Sequence, residues 1–192
     1  MKNIVLIGGG GHCKSVIDVI ELDGRFSIAG IIDKPERLGQ EILGYSVIGC
    51  DSDMNNLAKL YCHAIITVGQ IKSASLRVSL FKKAVKSGFV IPSIVSPKAY
   101  VSKHAQIGKG VVVMHNALVN SGAVIEDNCI INSQSLVEHD CKVSKHCHIS
   151  TNVTINGGSI IGRESFIGSG TITKELAQIA ERSFVKAGSL VI

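Results

Sequence analysis

The second half of the chain repeats a β-branched residue at every sixth position. From Val95 to Val191 these positions hold Val, Ile or Thr, and all except Thr173 are aliphatic. The residue four places after each of them, up to Val185, is small: Ala, Ser, Cys, Thr or Val. Neither an α-helix nor an alternating strand has a period of six residues. The pattern predicts a triangular β-solenoid, in which three six-residue repeats form one coil and the β-branched side chains point inward.

Residues 1–94 have the pattern of a different fold class. Continuous aliphatic runs typical of buried parallel strands occur in KNIVLIG, SIAGIID and HAIITVG. Helical spacing of apolar residues occurs in HCKSVIDVIEL and in SASLRVSLFKKAVKSG, where Gly88 is the expected C-cap. We therefore predict a small Rossmann-like α/β domain at residues 1–94, followed by an all-β solenoid domain at residues 95–192.

Composition and charge indicate which kinds of ligand the protein could bind and where it is located. The formal net charge is +5 and no run of Lys or Arg occurs, so a nucleic-acid partner is not expected, whereas a small anionic ligand suits the sign. The N-terminal MKNIVLIGGGG has an apolar run of only four residues before its glycines, which predicts neither a signal peptide nor a membrane span. A cytoplasmic location follows, with the six cysteines as reduced thiols.

Several segments resemble a known family. These are GGGGH, ILGYSVIG and TVGQ after the three predicted strands, and INSQSLVEHD with HCHISTNVTINGG in the solenoid. The chain resembles the bacterial sugar O- and N-acyltransferases, in which an α/β domain precedes a left-handed parallel β-helix of hexapeptide repeats. The resemblance implies acetyl-CoA as the acetyl donor. It also implies a nucleotide-sugar or sialic-acid-type acceptor, and a homotrimer with its active site between neighbouring solenoids.

Acetyl transfer from a thioester needs a base for the attacking group and a donor for the oxyanion. His139 is expected to point outward from the solenoid, and Asp140 or Glu138 could orient its ring. The resemblance implies His139 as general base and Asp140 as its carboxylate partner. Gly157 lies one coil of 18 residues further on, so its N–H is predicted to stack beside His139 as the oxyanion donor, unless NGG is simply a turn.

Two further solenoid residues are candidate substrate contacts. His148 follows His139 by nine residues, a spacing shared with the nucleotide-aminosugar N-acetyltransferases, and Asn132 begins the matching segment. An ordinary surface or ladder role is the alternative for both. His146 is expected to be merely exposed. Three cysteines fall on the small positions, where a thiol acts as a compact hydrophobe: Cys129, Cys141 and Cys147.

A metal site is the competing interpretation of these histidines, because γ-type carbonic anhydrases use the same solenoid with three zinc ligands. Zinc requires ligands that converge within about 2.1 Å of one point. His139 and His148 are predicted on different sides of the prism, and the His-x4-His pair of those enzymes is absent. We therefore predict no metal.

The segment IGGGGHCKS lies between a strand and a helix, where backbone amides and the helix dipole favour an anion. The third glycine of a dinucleotide fingerprint is missing, so this segment indicates NAD only weakly. By resemblance, Gly10, Gly11 and His12 lie near the pyrophosphate of a sugar nucleotide.

Two more residues are expected at the same sheet edge. Asp33 closes the second strand and is a candidate for base or ribose contact, or else a strand-end cap. Gly69 ends the third strand and is a candidate substrate-binding position, with Arg77 in the next helix as a possible anion partner.

Three functional hypotheses follow. The first is an acetyl-CoA-dependent N-acetyltransferase acting on a nucleotide-linked 4-amino-dideoxy sugar, which the presence of His148 favours. The second is an O-acetyltransferase of sialic acid or a related nonulosonic acid. The third is a non-catalytic sugar-nucleotide-binding protein.

Overall fold

A computed structural model describes residues 1–192, and its internal contacts divide the chain into two units. One unit holds Met1–Gly69 with Ser75–Ile94, and the other holds Gln70–Ala74 with Val95–Ile192. The short segment Gln70–Ala74 therefore packs with the second half of the chain, although it lies within the first half of the sequence.

The first unit is a mainly parallel sheet with three α-helices. Its elements are β1 (Lys2–Ile7), α1 (Gly11–Asp23), β2 (Phe26–Ile32), β3 (Glu41–Ile42), β4 (Tyr45–Gly49), α2 (Met54–Tyr61), β5 (His63–Ile66) and α3 (Ser75–Lys86). The strand order is β3-β4-β2-β1-β5, and only the β3–β4 pair is antiparallel. The continuous aliphatic run of β1 lies between two strands, and its residues from Ile4 to Ile7 are buried. The predicted α/β fold is confirmed.

Two features of this unit lie outside the sequence prediction. The hairpin β3–β4 extends the sheet, and helix α2 covers part of it. Helix α2 has only 8 residues and buries Met54, Leu57 and Ala58 on one face. So short an amphipathic segment has too few turns for its period to be recognised in the sequence.

The second unit is a three-sided parallel β-helix, as the period-six pattern predicts. Its two-residue strands are β6 (Ile94–Val95), β7 (Tyr100–Val101), β8 (Gln106–Ile107), β9 (Val112–Val113), β10 (Leu118–Val119), β11 (Val124–Ile125), β12 (Ile130–Ile131), β13 (Leu136–Val137), β14 (Lys142–Val143), β15 (His148–Ile149), β16 (Thr154–Ile155), β17 (Ile160–Ile161), β18 (Phe166–Ile167), β19 (Ile172–Thr173), β20 (Gln178–Ile179), β21 (Phe184–Val185) and β22 (Leu190–Val191). They form three faces. Face 1 is β7-β10-β13-β16-β19-β22, face 2 is β8-β11-β14-β17-β20, and face 3 is β6-β9-β12-β15-β18-β21.

The inward positions, which are the β-branched residues spaced by six, form the core of the β-helix. Those from Val113 to Ile179 are buried, and they pack in one cluster with the small residues at the corners between faces. On the last coil Val185 and Val191 are partly exposed, because no further coil covers them. The predicted assignment of inward and corner positions is therefore confirmed.

The corner residues also link successive coils by hydrogen bonds. The Cys129 Sγ donates to the Ser144 carbonyl at 3.1 Å, and the Cys147 Sγ donates to the Gly162 carbonyl at 3.0 Å. The Thr171 hydroxyl makes the same bond, 3.1 Å long, to the carbonyl 15 residues later. Cysteine, serine and threonine are thus equivalent at these positions, where each fills a small space and satisfies a main-chain carbonyl.

A second period-six pattern fixes the turns, and it was not part of the sequence prediction. The third residue after every inward position from Ile107 to Val185 has a positive φ. Most of these turn positions hold Gly, Asn or Asp, which adopt the left-handed conformation at least cost. The other turn positions hold Gln134, His146, Glu164, Leu176 and Arg182.

Replacing Leu176 by asparagine is expected to stabilise the protein. Leu176 has φ +56° and an exposed side chain, so it carries the left-handed strain without packing in the core. Leu176→Asn should raise the free energy of unfolding by about 1 kcal/mol, measured by urea denaturation. Glu175→Asn, at an exposed neighbour without a positive φ, is the control. An equal effect of both variants would contradict this explanation.

Candidate active site

His139 lies in the turn between β13 and β14, at the corner where face 1 meets face 2. Its side chain is 61% exposed and its Nδ1 lies 2.9 Å from the Asp140 Oδ2. A carboxylate only accepts hydrogen bonds, so the Nδ1 carries the proton and the Nε2 of the neutral ring has a free lone pair. Asp140 occupies a turn position with φ +59°, which directs its carboxylate toward the ring of the preceding residue. Asp140 thus holds the ring in the tautomer whose Nε2 can accept a proton.

The two acidic neighbours of His139 have different partners. Asp140 contacts the ring, whereas the Glu138 Oε2 accepts the main-chain N–H of His139 at 3.2 Å. Glu138 is itself held by the Asn120 Nδ2 at 2.7 Å on the previous coil. Of the two carboxylates that the sequence leaves open as partners of the ring, the structure brings only Asp140 against it.

These charges alter the protonation of the ring. The hydrogen bond that His139 donates to Asp140 raises the pKa of His139 above its ordinary value of 6.5. Desolvation lowers this pKa, and the negative charges of Asp140 and Glu138 raise it. The ring is more than half exposed to solvent.

Gly157 lies on the next coil, directly against the imidazole. A Cβ built at this glycine would be 2.7 Å from the His139 Nε2 and 2.8 Å from its Cε1, so any side chain here would displace the ring. The following residue, Gly158, donates its N–H to the His139 carbonyl at 2.9 Å. The Gly157 N–H itself has no acceptor within the protein. A lone pair and an unpaired N–H donor therefore lie side by side at this corner.

His148 lies on face 3 and is only 7% exposed. Its Nδ1 donates to the Gln70 carbonyl at 2.5 Å, and its Nε2 accepts from the Asn132 Nδ2 at 3.1 Å. The ring also meets the edge of Phe166, with 5.2 Å between ring centroids. The structure brings His148 and Asn132 together, and their contact with a substrate stays a prediction.

Gln70 is a contact that sequence reasoning missed. Its side chain is buried, and its Nε2 donates to the carbonyls of His146 and Ser165 at 3.0 and 3.4 Å. Nothing in the sequence pairs residue 70 with residues far along the solenoid. His146 is likewise not merely exposed, because it is partly buried and its Nδ1 lies 2.9 Å from the Asn128 Nδ2.

In the first unit, the glycine loop joins β1 to the start of α1. No atom lies within 4 Å of a Cβ built at Gly10 or Gly11, so the loop surface there is open to a ligand. His12 packs against Gly69, where a built Cβ would be 3.5 Å from the His12 Cβ. These four predicted residues gather at the carboxyl end of β1 and β5.

Asp33 holds the glycine loop in place. Its Oδ2 accepts the Gly9 N–H at 2.9 Å and pairs with the Arg37 guanidinium, while its Oδ1 accepts the Lys34 N–H at 2.8 Å. Arg37 also donates to the Gly9 carbonyl at 3.1 Å. The structure therefore supports the strand-end cap, the alternative for Asp33, and its contact with a base or ribose stays a prediction.

Arg77 points to main-chain carbonyls, and its contact with an anion stays a prediction. Its side chain is fully buried, and its Nη1 donates to the carbonyls of Ile66 and Val68 at 2.8 and 2.7 Å. The guanidinium thereby caps the end of β5, because a buried charge needs several acceptors.

A cavity of about 500 Å³ lies beside the glycine loop. Its walls are largely apolar, with Ile32, Pro35 and Leu80 among them, and its polar groups include Asp33. Asp51 and Lys83 also line it, and their Oδ2 and Nζ atoms lie 3.5 Å apart. The sequence carries no signal for this pair, because the two residues belong to a short 3₁₀ turn and the last turn of α3.

No group of three or more His, Cys, Asp or Glu side chains is placed to hold a metal ion. None of the helices is long and apolar enough to cross a membrane.

Comparison with known proteins gives two family matches. The PglD N-terminal domain matches residues 3–84, and the bacterial transferase hexapeptide (six repeats) matches residues 104–139. No curated protein matches the sequence at a significant level.

Solved structures resemble the whole chain. The acetyltransferase domain of PglB from Neisseria gonorrhoeae FA1090 is 29% identical with a TM-score of 0.92, over 100% of this chain and 92% of that one. The same domain in complex with acetyl coenzyme A is 30% identical with a TM-score of 0.90, over 99% and 92%. PerB from Caulobacter crescentus, in complex with CoA and GDP-perosamine, is 30% identical with a TM-score of 0.92, over 100% and 89%.

The α/β unit, the left-handed β-helix of hexapeptide repeats and this full-length similarity lead to one assignment. The chain belongs to the family of bacterial sugar acyltransferases of the hexapeptide-repeat type, and it is an acyltransferase.

Proposed function

We propose that this protein transfers the acetyl group of acetyl-CoA to the amino group of a nucleotide-linked 4-amino-dideoxy sugar. The observation that carries the proposal is the close approach of the His139 Nε2 to Gly157, whose N–H has no acceptor within the protein. The PglB domain binds acetyl coenzyme A and PerB binds CoA and GDP-perosamine, which supports both the donor and the class of acceptor.

Each residue of the corner has a chemical task in this reaction. The His139 Nε2 accepts a proton from the attacking amine, and Asp140 stabilises the imidazolium that forms. The Gly157 N–H donates a hydrogen bond to the thioester oxygen as it becomes negative. The imidazolium can then return the proton to the departing thiolate, which leaves as a thiol and restores the neutral ring of His139.

The open glycine loop of the first unit suits the diphosphate of a nucleotide sugar. Gly10 and Gly11 present main-chain amides at the start of α1, where a diphosphate is favoured by the helix dipole. We assign the neighbouring apolar cavity to the nucleoside of the same acceptor.

We further propose a homotrimer that packs through face 1. Its outward row is apolar except for Thr154: Tyr100, Leu118, Leu136, Ile172 and Leu190. Tyr100 and Leu190 are more than 60% exposed in the single chain, and such a stripe is stable in water only when covered. His139 directly follows face 1 in the chain, so a neighbouring copy would border the proposed site.

Replacing His139 by alanine tests the mechanism. Loss of a general base should lower kcat by about a thousandfold. Thiol release from acetyl-CoA is measured against a panel of UDP-, GDP- and dTDP-linked 4-amino sugars and free sialic acids. Since the side chain is exposed, the thermal unfolding midpoint should not change. Near-normal turnover in His139→Ala would exclude it as the base, and wild-type activity confined to sialic acids would replace N-acetylation by O-acetylation.

Asp140→Asn is expected to shift the pH dependence. The reaction needs neutral His139, so kcat/KM should fall as the pH drops through the raised pKa of that ring. Removing the carboxylate lowers this pKa, so the fall should move to lower pH while the plateau rate decreases. An NMR titration of the His139 ring measures its pKa directly, and so distinguishes it from the pKa of the substrate amine. Asp127→Asn, in an ion pair at another corner, should leave the titration of His139 unchanged.

A charge on face 1 is expected to break the trimer. Leu118→Asp would bury an unpaired carboxylate at the proposed interface, which costs several kcal/mol, about enough to dissociate the copies. Sedimentation equilibrium should give about three times 20.3 kDa for the wild type and the single mass for the variant. Val124→Asp on face 2 should remain trimeric. A monomeric wild type would refute the trimer.

A further inference from the structure

Thr173 is the one inward position of the β-helix that carries a hydroxyl group. It is fully buried, like Ile155 in the same column on the preceding coil. A buried hydroxyl is unfavourable unless it is hydrogen-bonded, so its partner indicates what the residue does.

The hydroxyl alters the main-chain ladder. Every other residue that directly follows an inward position, from Ser96 to Lys174, donates its N–H to the carbonyl of the inward residue on the next coil. Asn156 instead donates its N–H to the Thr173 Oγ1 at 3.0 Å. The Thr173 carbonyl, left without its usual donor, accepts the Asn156 Nδ2 at 2.6 Å. The pairing of β16 with β19 accordingly keeps only the Thr154–Ile172 contact.

This exchange determines what the Asn156 side chain can reach. At the same corner of the two preceding coils, the side chain before the turn caps the next N–H. The Asn120 Oδ1 accepts from Ser121 at 2.8 Å, and the Glu138 Oε2 accepts from His139 at 3.2 Å. Asn156 has the chemistry to cap Gly157 in the same way, but its amide is bound to the Thr173 carbonyl. The Gly157 N–H is therefore left unpaired, against the ring of His139.

We propose that Thr173 is a positioning residue that keeps the Gly157 N–H available as oxyanion donor, by drawing the Asn156 side chain away from it. This inference rests on the role of Gly157 in the proposed function. It assigns a part in the reaction to a core residue that touches no reacting group.

The test replaces Thr173 by valine, the residue type at several other inward positions. A methyl group cannot accept the Asn156 N–H, so that N–H should return to the carbonyl of residue 173 and release the Asn156 amide to cap Gly157. We expect kcat to fall about 3- to 10-fold, the range of one modest hydrogen bond, with KM for both substrates nearly unchanged. Thr173→Ser keeps the hydroxyl and should retain the wild-type kcat.

Removing the capping side chain should reverse the effect. The double variant Thr173→Val with Asn156→Ala leaves no group able to cap Gly157, so most of the lost kcat should return. Thr171→Val is the matched control, since it removes a buried hydroxyl from the same coil whose partner, the Lys186 carbonyl, lies away from the Asn156 turn. A double variant as slow as Thr173→Val, or an equal loss in Thr171→Val, would show that the hydroxyl is only structural.

A crystal structure of Thr173→Val separates the two ways in which the inference can fail. We expect the Asn156 Oδ1 within about 3 Å of the Gly157 N. If the cap forms but kcat stays at the wild-type value, the Gly157 N–H is not the oxyanion donor and that part of the proposed function is wrong. If the cap does not form, Thr173 does not control the turn, and the role of Gly157 is unaffected.

Discussion

The main-chain ladder between successive coils determines almost everything else in the second unit. Each short strand pairs in parallel with the strand 18 residues later, as Leu136 with Thr154 and Val137 with Ile155. Because this register is constant, the sequence number of a residue fixes its neighbours above and below. His139 and Gly157 meet for this reason, and no loop has to fold back to bring them together.

The ladder also separates the residues of the proposed site from the residues that stabilise the fold. The core consists of inward aliphatic residues and small corner residues, all buried within the coils. His139 and Asp140 stand on a turn in solvent, at 61% and 73% exposure, where they contribute little to packing. Only at Thr173 does a polar group enter the inward column, and there the ladder itself changes its bonding. The one break in the pattern thus lies a single coil away from the proposed oxyanion donor.

The sequence predicts well whatever depends on local periodicity. The inward residues, the corner cysteines and the aliphatic strand β1 could all be assigned, because burial forces a repeat on them. The turn positions could also have been predicted from the sequence, since Gly, Asn and Asp occupy most of these positions, which are six residues apart. Residues such as Leu176 and Arg182 interrupt the series. The conformational cost is small enough for such residues to be tolerated, so the pattern is weaker than the hydrophobic one.

Contacts between distant segments could not be predicted. The Gln70 carbonyl meets His148 across 78 residues, and neither residue belongs to a pattern that anticipates the other. Arg77 was a reasonable anion partner by charge, yet its guanidinium caps strand carbonyls, a choice that depends on helix placement. Both carboxylate oxygens of Asp33 similarly accept main-chain N–H groups, those of Gly9 and Lys34. Side-chain direction at a sheet edge depends on tertiary packing, which periodicity does not encode.

The positive-φ turns impose a rule on how such a chain can change length. Adding one residue to a coil would move every later aliphatic side chain from the inside to the outside, and every later turn residue into the position of a small corner residue. Inserting a whole coil of 18 residues leaves all later residues in their roles. Such an insertion before Glu138 or after Thr173 would carry the His139 corner along intact, whereas one between His139 and Gly157 would part the base from the glycine. The distance of 18 residues between His139 and Gly157 therefore cannot vary while the corner is kept.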